Sequence, residues 1–461
     1  MLFLRTDVCI AILLVALSFT SFVYIVSSDV SGLAKGIAAI LLLLVTGLAL
    51  RRVTKAEGWT GFLMLRLKEG VGLIGWMKRR FGKFWNLVCD MGLVVGFGLS
   101  SKFAFRHIGM RLLAVSMAVL LVLVFVIYPY LILITMTIMD LPGADQAVSA
   151  DTMMAVISFA AVVVFGLVGI VMVSLLAKAL SVLVSVVAFI GGSSSALSAT
   201  APGVSFIIPG LTIPLLEGII ALFVLLVVHE GSHGIAALLS KVRLKSTGFL
   251  LFGFIPVGAF VDIDEKQLKR RKQADKLRVA VAGSAANLLT SIVFFVPAML
   301  LLLYLPAFFD NQLLVTGFTR NVLASGANIT AGTIITSVDG VSVSTLAEFN
   351  KLKPSLQPDT DVQIVTDKGD FTLKTDAKGT LGLLLTQPIK AEFWWVKVIY
   401  VTLGLIAVLN FFVAVINLVP MQVFDGYRIL QDSVKDKRIV NFIAYAVLAA
   451  LLLNILPWIW H

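Results

Sequence analysis

Apolar residues run almost without interruption through eight stretches of the chain, at about 7–27, 32–50, 111–139, 152–177, 212–239, 275–304, 391–419 and 438–460. At about 1.5 Å per helical residue each is long enough to cross a hydrocarbon layer of about 30 Å. The pattern predicts a polytopic α-helical membrane protein of roughly eight or nine spans. The first run is longer than a signal-peptide core and no small-residue cleavage site follows it, so it is expected to remain as a span.

Two regions break the pattern. From about 312 to 386 the chain turns polar, with alternating runs such as TIITSVDGVSV and DVQIVTDKGDFTLKT. The VDG and KGD turns between these runs predict strands, and TLAEFNKLK predicts a short helix. This is a small β-rich domain inserted between spans. Residues 56–90 alternate apolar with basic groups and predict an interfacial amphipathic segment. The organisation expected is an N-terminal membrane region over 1–200 with a basic interfacial segment at 51–110, core spans over 205–304, the insert at 312–386, and C-terminal spans over 391–461.

Composition agrees: 59% of the residues are hydrophobic, 14% are charged, and the mean hydropathy is +1.01. A soluble domain carries about 25% charged residues. The net charge of +11 does not imply nucleic acid, because the basic residues cluster in short loops beside apolar spans. Ten Lys or Arg residues lie between Lys241 and Arg278, and Arg428, Lys435, Lys437 and Arg438 follow in a later loop. Both loops are expected to face the cytoplasm, so 212–239 runs inward, 275–304 outward and 391–419 inward. The basic stretch 51–111 also belongs inside, while 140–151 has acids but no Lys or Arg. Counting forward from there contradicts the next span, which predicts an extra crossing or re-entrant piece at about 179–200. The two cysteines, Cys9 and Cys89, are far apart and suggest neither a disulfide framework nor a thiolate metal site.

The chemistry concentrates in VVHEGSHG, residues 227–234, at the end of an apolar run. Ionisable groups at a helix centre cost about 2.5–3.5 kcal/mol each on insertion scales, so their presence calls for a function. HExxH on a helix puts His229 and His233 on one face, where both imidazoles can bind one Zn²⁺, with Glu230 placed as a general base. Two helix–helix hydrogen-bonding histidines with a buried glutamate are the plainer alternative. Catalytic zinc takes three protein ligands and an open position. Most downstream acids fall in loops or in the insert. Asp425 instead ends INLVPMQVFDG, where Asn417 and Pro420 interrupt a span. Unwound backbone at membrane depth is tolerated only inside protein or beside a water-filled cavity. His229 lies about 25 Å along its span, near the cytoplasmic end, and Asp425 comes at the same end of its own.

HEGSH, followed by an NxxPxxxxDG element in a later span, resembles the site-2 protease family of intramembrane zinc proteases. The family's usual second motif is NPxPxxxLDG; here Leu418 replaces the first proline and Phe424 the leucine. GFIPVGAFVDIDE at 253–265 resembles the family's membrane-associated β-hairpin, and AGSAANLLTS at 282–291 its small-residue span. GANITAGTIITSVDGVSVSTLAEFNKL resembles the core of PDZ domains. The resemblance covers about 205–440 and leaves the first 200 residues outside the shared core.

It implies one Zn²⁺ per chain held by His229, His233 and Asp425, with Glu230 as base. Asn287 would bond the scissile peptide or the oxyanion; a polar contact in a small-residue packing seam is the alternative. Gly258, Phe260, Asn417 and Pro420 would meet substrate. The hairpin would hold an unwound substrate by strand pairing, or it marks only a turn returning from the membrane. The activity implied is endopeptidase cleavage within transmembrane segments of single-span proteins, in regulated intramembrane proteolysis. The site would lie near the cytoplasmic face of a prokaryotic cell membrane, with the PDZ-like insert outside, screening substrates, and with no nucleic-acid partner. The competing readings are a prenyl-protein type of zinc protease, which needs a glutamate ligand in a later span, and a non-proteolytic transporter or receptor with a polar intramembrane site.

Overall fold

The computed structural model describes the chain except residues 1–5, 29, 31, 68, 139–151, 194, 205–206, 319–328, 377–378 and 461. The acidic loop at 140–151 and the opening residues of the PDZ-like pattern, 326–328, lie outside the described residues. The first helices are α1 (Thr6–Ser27), α2 (Gly32–Thr54), α3 (Glu69–Phe97) and α4 (Ser100–Ala104). Next, α5 (Met110–Val122) passes through a π-helical turn, Leu123–Ile127, into α6 (Tyr128–Ile138). Then come α7 (Thr152–Ile190), α8 (Leu215–Leu239), α9 (Glu265–Lys269) and α10 (Gln273–Tyr304). The last four are α11 (Leu346–Leu352), α12 (Trp394–Asn417), α13 (Asp425–Ser433) and α14 (Lys437–Ile455). Among the described residues eight helical stretches are long and apolar enough to cross a membrane, at positions close to those the apolar runs predict. The protein is a polytopic helical membrane protein with a β-rich domain.

The region before residue 200 departs from expectation in two ways. No seam appears at residue 179: α7 is one 39-residue element whose helical geometry breaks at Gly166 (φ 64°, ψ −150°). The piece after the break, 167–190, is about 36 Å long and alone matches a span; the piece before it, 152–165, is about 21 Å and does not. Glycine is needed there because backbones cross. A Cβ on Gly166 would stand 2.5 Å from the Gly96 carbonyl carbon, and one on Gly98 would stand 2.6 Å from the Gly166 nitrogen. The Leu99 N–H donates to the Val163 carbonyl at 3.0 Å across the same crossing.

The interfacial segment expected at 51–110 is also corrected. Residues 57–67 form two strands, β1 (Glu57–Trp59) and β2 (Phe62–Leu67), which join β3 (Leu244–Phe252) and β4 (Ile255–Ile263) in one antiparallel sheet of order β1-β2-β3-β4. The following helix, α3, carries the exposed aromatics and basic residues that suggested an interface, including Trp76, Phe81 and Phe84. Its other face is core. Trp85, Cys89, Leu93 and Val94 pack in one buried cluster with Ile235 of α8 and Leu277, Val281 and Ala285 of α10. The N-terminal region therefore contributes to the framework around the HExxH helix and α10.

By internal contacts the chain divides into two compact units. The first comprises residues 1–128, 150–294 and 405–461; the second comprises 129–149 and 295–404. The second contains the β-rich insert, with strands β5 (Leu313–Phe318), β6 (Ile334–Val338), β7 (Val341–Ser342), β8 (Asp361–Thr366), β9 (Gly369–Lys374) and β10 (Leu383–Thr386). Their order is β10-β5-β6-β8-β9, with β7 paired to β6. Leu313, Val315, Ile335, Val338, Ile364 and Leu373 fill its core. The VDG turn is the tight hairpin between β6 and β7, with Asp339 and Gly340 both at positive φ (50° and 76°). TLAEFNKLK forms α11, capped by Thr345 and Glu348 in a reciprocal box.

Candidate metal centre

The first unit brings HExxH and the later aspartate together. His229 and His233 lie one turn apart on α8, and Asp425 opens α13 after the span α12 has ended. The end is abrupt because Pro420 cannot continue the helical ladder. The chain crosses from Asn417 to Asp425 through short-range bonds, Met421 N–H to the Val419 carbonyl and Phe424 N–H to the Met421 carbonyl, at 2.8 and 2.9 Å. Gly426 follows because its backbone lies against the Leu418 carbonyl, where any Cβ would collide.

His229 Nε2, His233 Nε2 and Asp425 Oδ2 form a triangle with all three edges 3.2 Å. Donor atoms about 2.0–2.1 Å from a tetrahedral zinc ion stand about 3.3–3.4 Å apart, so the triangle has the size such an ion requires. Among the described residues Asp425 Oδ2 has no other hydrogen-bond partner although it is buried. Burial alone would raise the Asp425 pKa; the facing His233 and His229 outweigh it and hold the carboxyl well below the usual carboxylate range. Gly283 on α10 forms a wall of the centre: a Cβ there would stand 2.5 Å from His229 Cε1 and from His233 Nε2. The donor set, its spacing and this glycine cradle all fit a zinc ion.

The start of α10 supports the triangle from several sides. The Val279 carbonyl accepts from His233 Nδ1 at 2.7 Å, and the Asn287 amide lies 3.2 Å from His229 Nδ1. Lys276 Nζ meets Asp432 Oδ1 at 2.6 Å and Gln273 Nε2 donates to the Asp432 carbonyl, which ties α10 to the helix of the third ligand. One turn on, Arg278 forms a fork with Asp90 of α3, both bonds 2.7 Å, and His107 Nε2 lies 3.2 Å from the same carboxylate. Of these, Val279, Gly283, Arg278 and Asp90 were not singled out by the sequence patterns. The only signal for Gly283 was its place in the small-residue run AGSAAN.

The remaining predicted residues are distributed as follows. Glu230 is partly buried on α8 between the two histidines. Asn287 is fully buried against His229. Asn417 and Pro420 flank the unwound turn before Asp425, Pro420 buried and Asn417 partly so. Gly258 pairs with Leu250 within the hairpin, and Phe260 lies over Gly248 with the Arg66 guanidinium 5.7 Å from its ring. Phe260 is thereby engaged by its own sheet. The hairpin packs on the histidine helix: a Cβ on Gly234 would stand 3.2 Å from Val261 Cγ1 of β4. Because β2 covers β3, β4 keeps its outer edge without a strand partner among the described residues.

Two comparisons with known proteins bear on the chain. An uncharacterized protein, MJ0971, of Methanocaldococcus jannaschii is 29% identical over 226 residues, which are 48% of this chain and 58% of that one. The chain thus spans less than two thirds of this relative's length. The sequence model described as Peptidase family M50 matches residues 217–456, more than half of the chain. That match begins at the head of the histidine helix and runs past the Asp-Gly turn, enclosing the whole ligand triangle, and the chain belongs to Peptidase family M50, a family of membrane metalloproteases.

Proposed function

We propose that the protein is a zinc-dependent intramembrane endopeptidase that hydrolyses peptide bonds in the transmembrane segments of single-span proteins. The observation that carries this reading is the 3.2 Å triangle of His229 and His233, on a helix of span length, and Asp425, just past the end of another, with Glu230 between the histidines. A zinc ion bound there supplies a Lewis acid that polarises the scissile carbonyl and makes a water nucleophilic at neutral pH. Glu230 takes the proton from the attacking water and returns it to the leaving amine. His229, His233 and Asp425 would hold the ion.

A helical substrate satisfies its own backbone bonds and must unwind before hydrolysis. The outer edge of β4 offers main-chain partners to the extended segment. An apolar groove of about 360 Å³ lies between the sheet and the first turns of α8, lined by Leu65, Ile219, Phe223, Phe249, Leu251 and Pro256. The β-rich insert, similar in sequence pattern to PDZ domains, screens substrates. The charge bias of the loops supports a centre at the cytoplasmic end of its spans and an insert on the other side.

The test is reconstitution with single-span proteins and zinc analysis of the same preparation. Wild type should cleave and carry one zinc per chain. Glu230→Gln should keep the zinc and lose about 10²–10⁴-fold in rate, because the base is not a ligand. A chain with no zinc and no cleavage would instead be a transporter or receptor.

A further inference from the structure

The two histidine ligands are braced differently by α10. His233 Nδ1 faces the Val279 carbonyl, which can only accept, so that nitrogen carries the hydrogen and Nε2 keeps its lone pair. His229 Nδ1 faces the side-chain amide of Asn287 at 3.2 Å, a group that can donate or accept. Heavy-atom geometry does not distinguish the two ends of an amide, so chemistry has to decide.

With the NH₂ toward the ring, the amide donates to Nδ1 and forces the hydrogen of a neutral imidazole onto Nε2. That N–H would point into the donor triangle, where His229 could not act as a ligand. With the oxygen toward the ring, Nδ1–H donates to Asn287 and Nε2 presents a lone pair to the triangle. The structure places the NH₂ toward the ring, and with Asn287 fully buried that orientation leaves its Oδ1 without a partner among the described residues, so it has no advantage over the reverse one.

We propose that Asn287 is a positioning residue for the metal centre, its amide oxygen accepting from His229 Nδ1–H and fixing that ring's tautomer and tilt. The inference rests on the zinc reading above. It places the Asn287 oxygen on the ligand, away from the scissile peptide. Outer-shell partners of metal-bound histidines have this role generally, and losing one weakens metal affinity by about 10–100-fold.

The test is zinc affinity of the purified full-length protein by chelator competition, with the absorption spectrum of the cobalt-substituted protein as a second readout. Asn287→Leu, similar in volume but without an acceptor, should bind zinc about 10–100-fold more weakly and shift the cobalt bands. Asn287→Asp keeps an acceptor at the same place and should bind zinc within a few fold of wild type. Wild-type affinity and spectrum in Asn287→Leu, together with lost cleavage, would overturn the proposal and put Asn287 on the substrate. If Asn287→Leu fails to fold, Asn287→Asp decides: retained affinity supports the proposal, and tenfold or greater weakening overturns it. Failure of the wild type itself to bind zinc would refute the metal reading, independently of either variant.

Discussion

In the β-rich insert the chain specifies its shape within a few residues at a time. Asp339 and Gly340 turn β6 into β7, and Thr345 and Glu348 close the first turn of α11 with their own side chains. At the metal centre almost nothing is local. Its parts come from residues 90, 229–233, 273–287 and 425–432, held by one or two polar contacts between each pair of elements. Lipid tails are as apolar as leucine and do not drive apolar helices together, so fit and a few polar bonds must determine how they pack. The lesson is that damage should be graded in the insert and abrupt at the centre.

Gly283→Ala tests this most severely. One methyl group would need space that His229 and His233 occupy at 2.5 Å. Zinc content should fall well below one per chain while the helical circular dichroism is retained; a full complement of zinc would show that the wall can yield. Next in size is Asp90→Ala. It leaves Arg278 without its fork partner and His107 without its carboxylate, and should cost about 2 kcal/mol in chemical unfolding, because these groups are only 13–25% exposed. If α10 transmits the loss, zinc affinity falls too. Thr345→Ala removes one cap and should cost about 1 kcal/mol in the insert, with zinc binding unchanged. Deleting 312–386 should likewise leave one zinc per chain and change only which substrates are cut; zinc lost from a still-folded deletion would erase the contrast between the regions.

Much of this could be read from the sequence because the strongest signals are periodic or motif-like. The spans follow from uninterrupted apolar runs, and the triangle from HExxH plus the one aspartate beside a proline-broken span. The turns of the insert follow from VDG and from the TLAE cap. What stayed hidden has a physical reason in each case. In FLMLRL and the basic run after it, apolar and charged residues alternate in a way that suits an interfacial helix as well as a strand, and only pairing with β3 decides. Gly166 in an apolar run is a weak signal until Gly96 and Gly98 are seen to cross it. Arg278 looked like one more loop charge, although it is the partner of Asp90, 188 residues away.

The seal that β2 places on β3 also bears on how pieces of the chain behave when cut apart. The family match begins at residue 217, yet a fragment cut there would expose the full length of β3, with register partners from Thr247 to Phe252 left unpaired. Bare strand edges recruit other chains, so such a fragment should self-associate through that edge. A fragment starting near residue 55 keeps that strand partner and should self-associate less than the one cut at 217. The family match thus starts about 150 residues after β2, the strand that closes this edge.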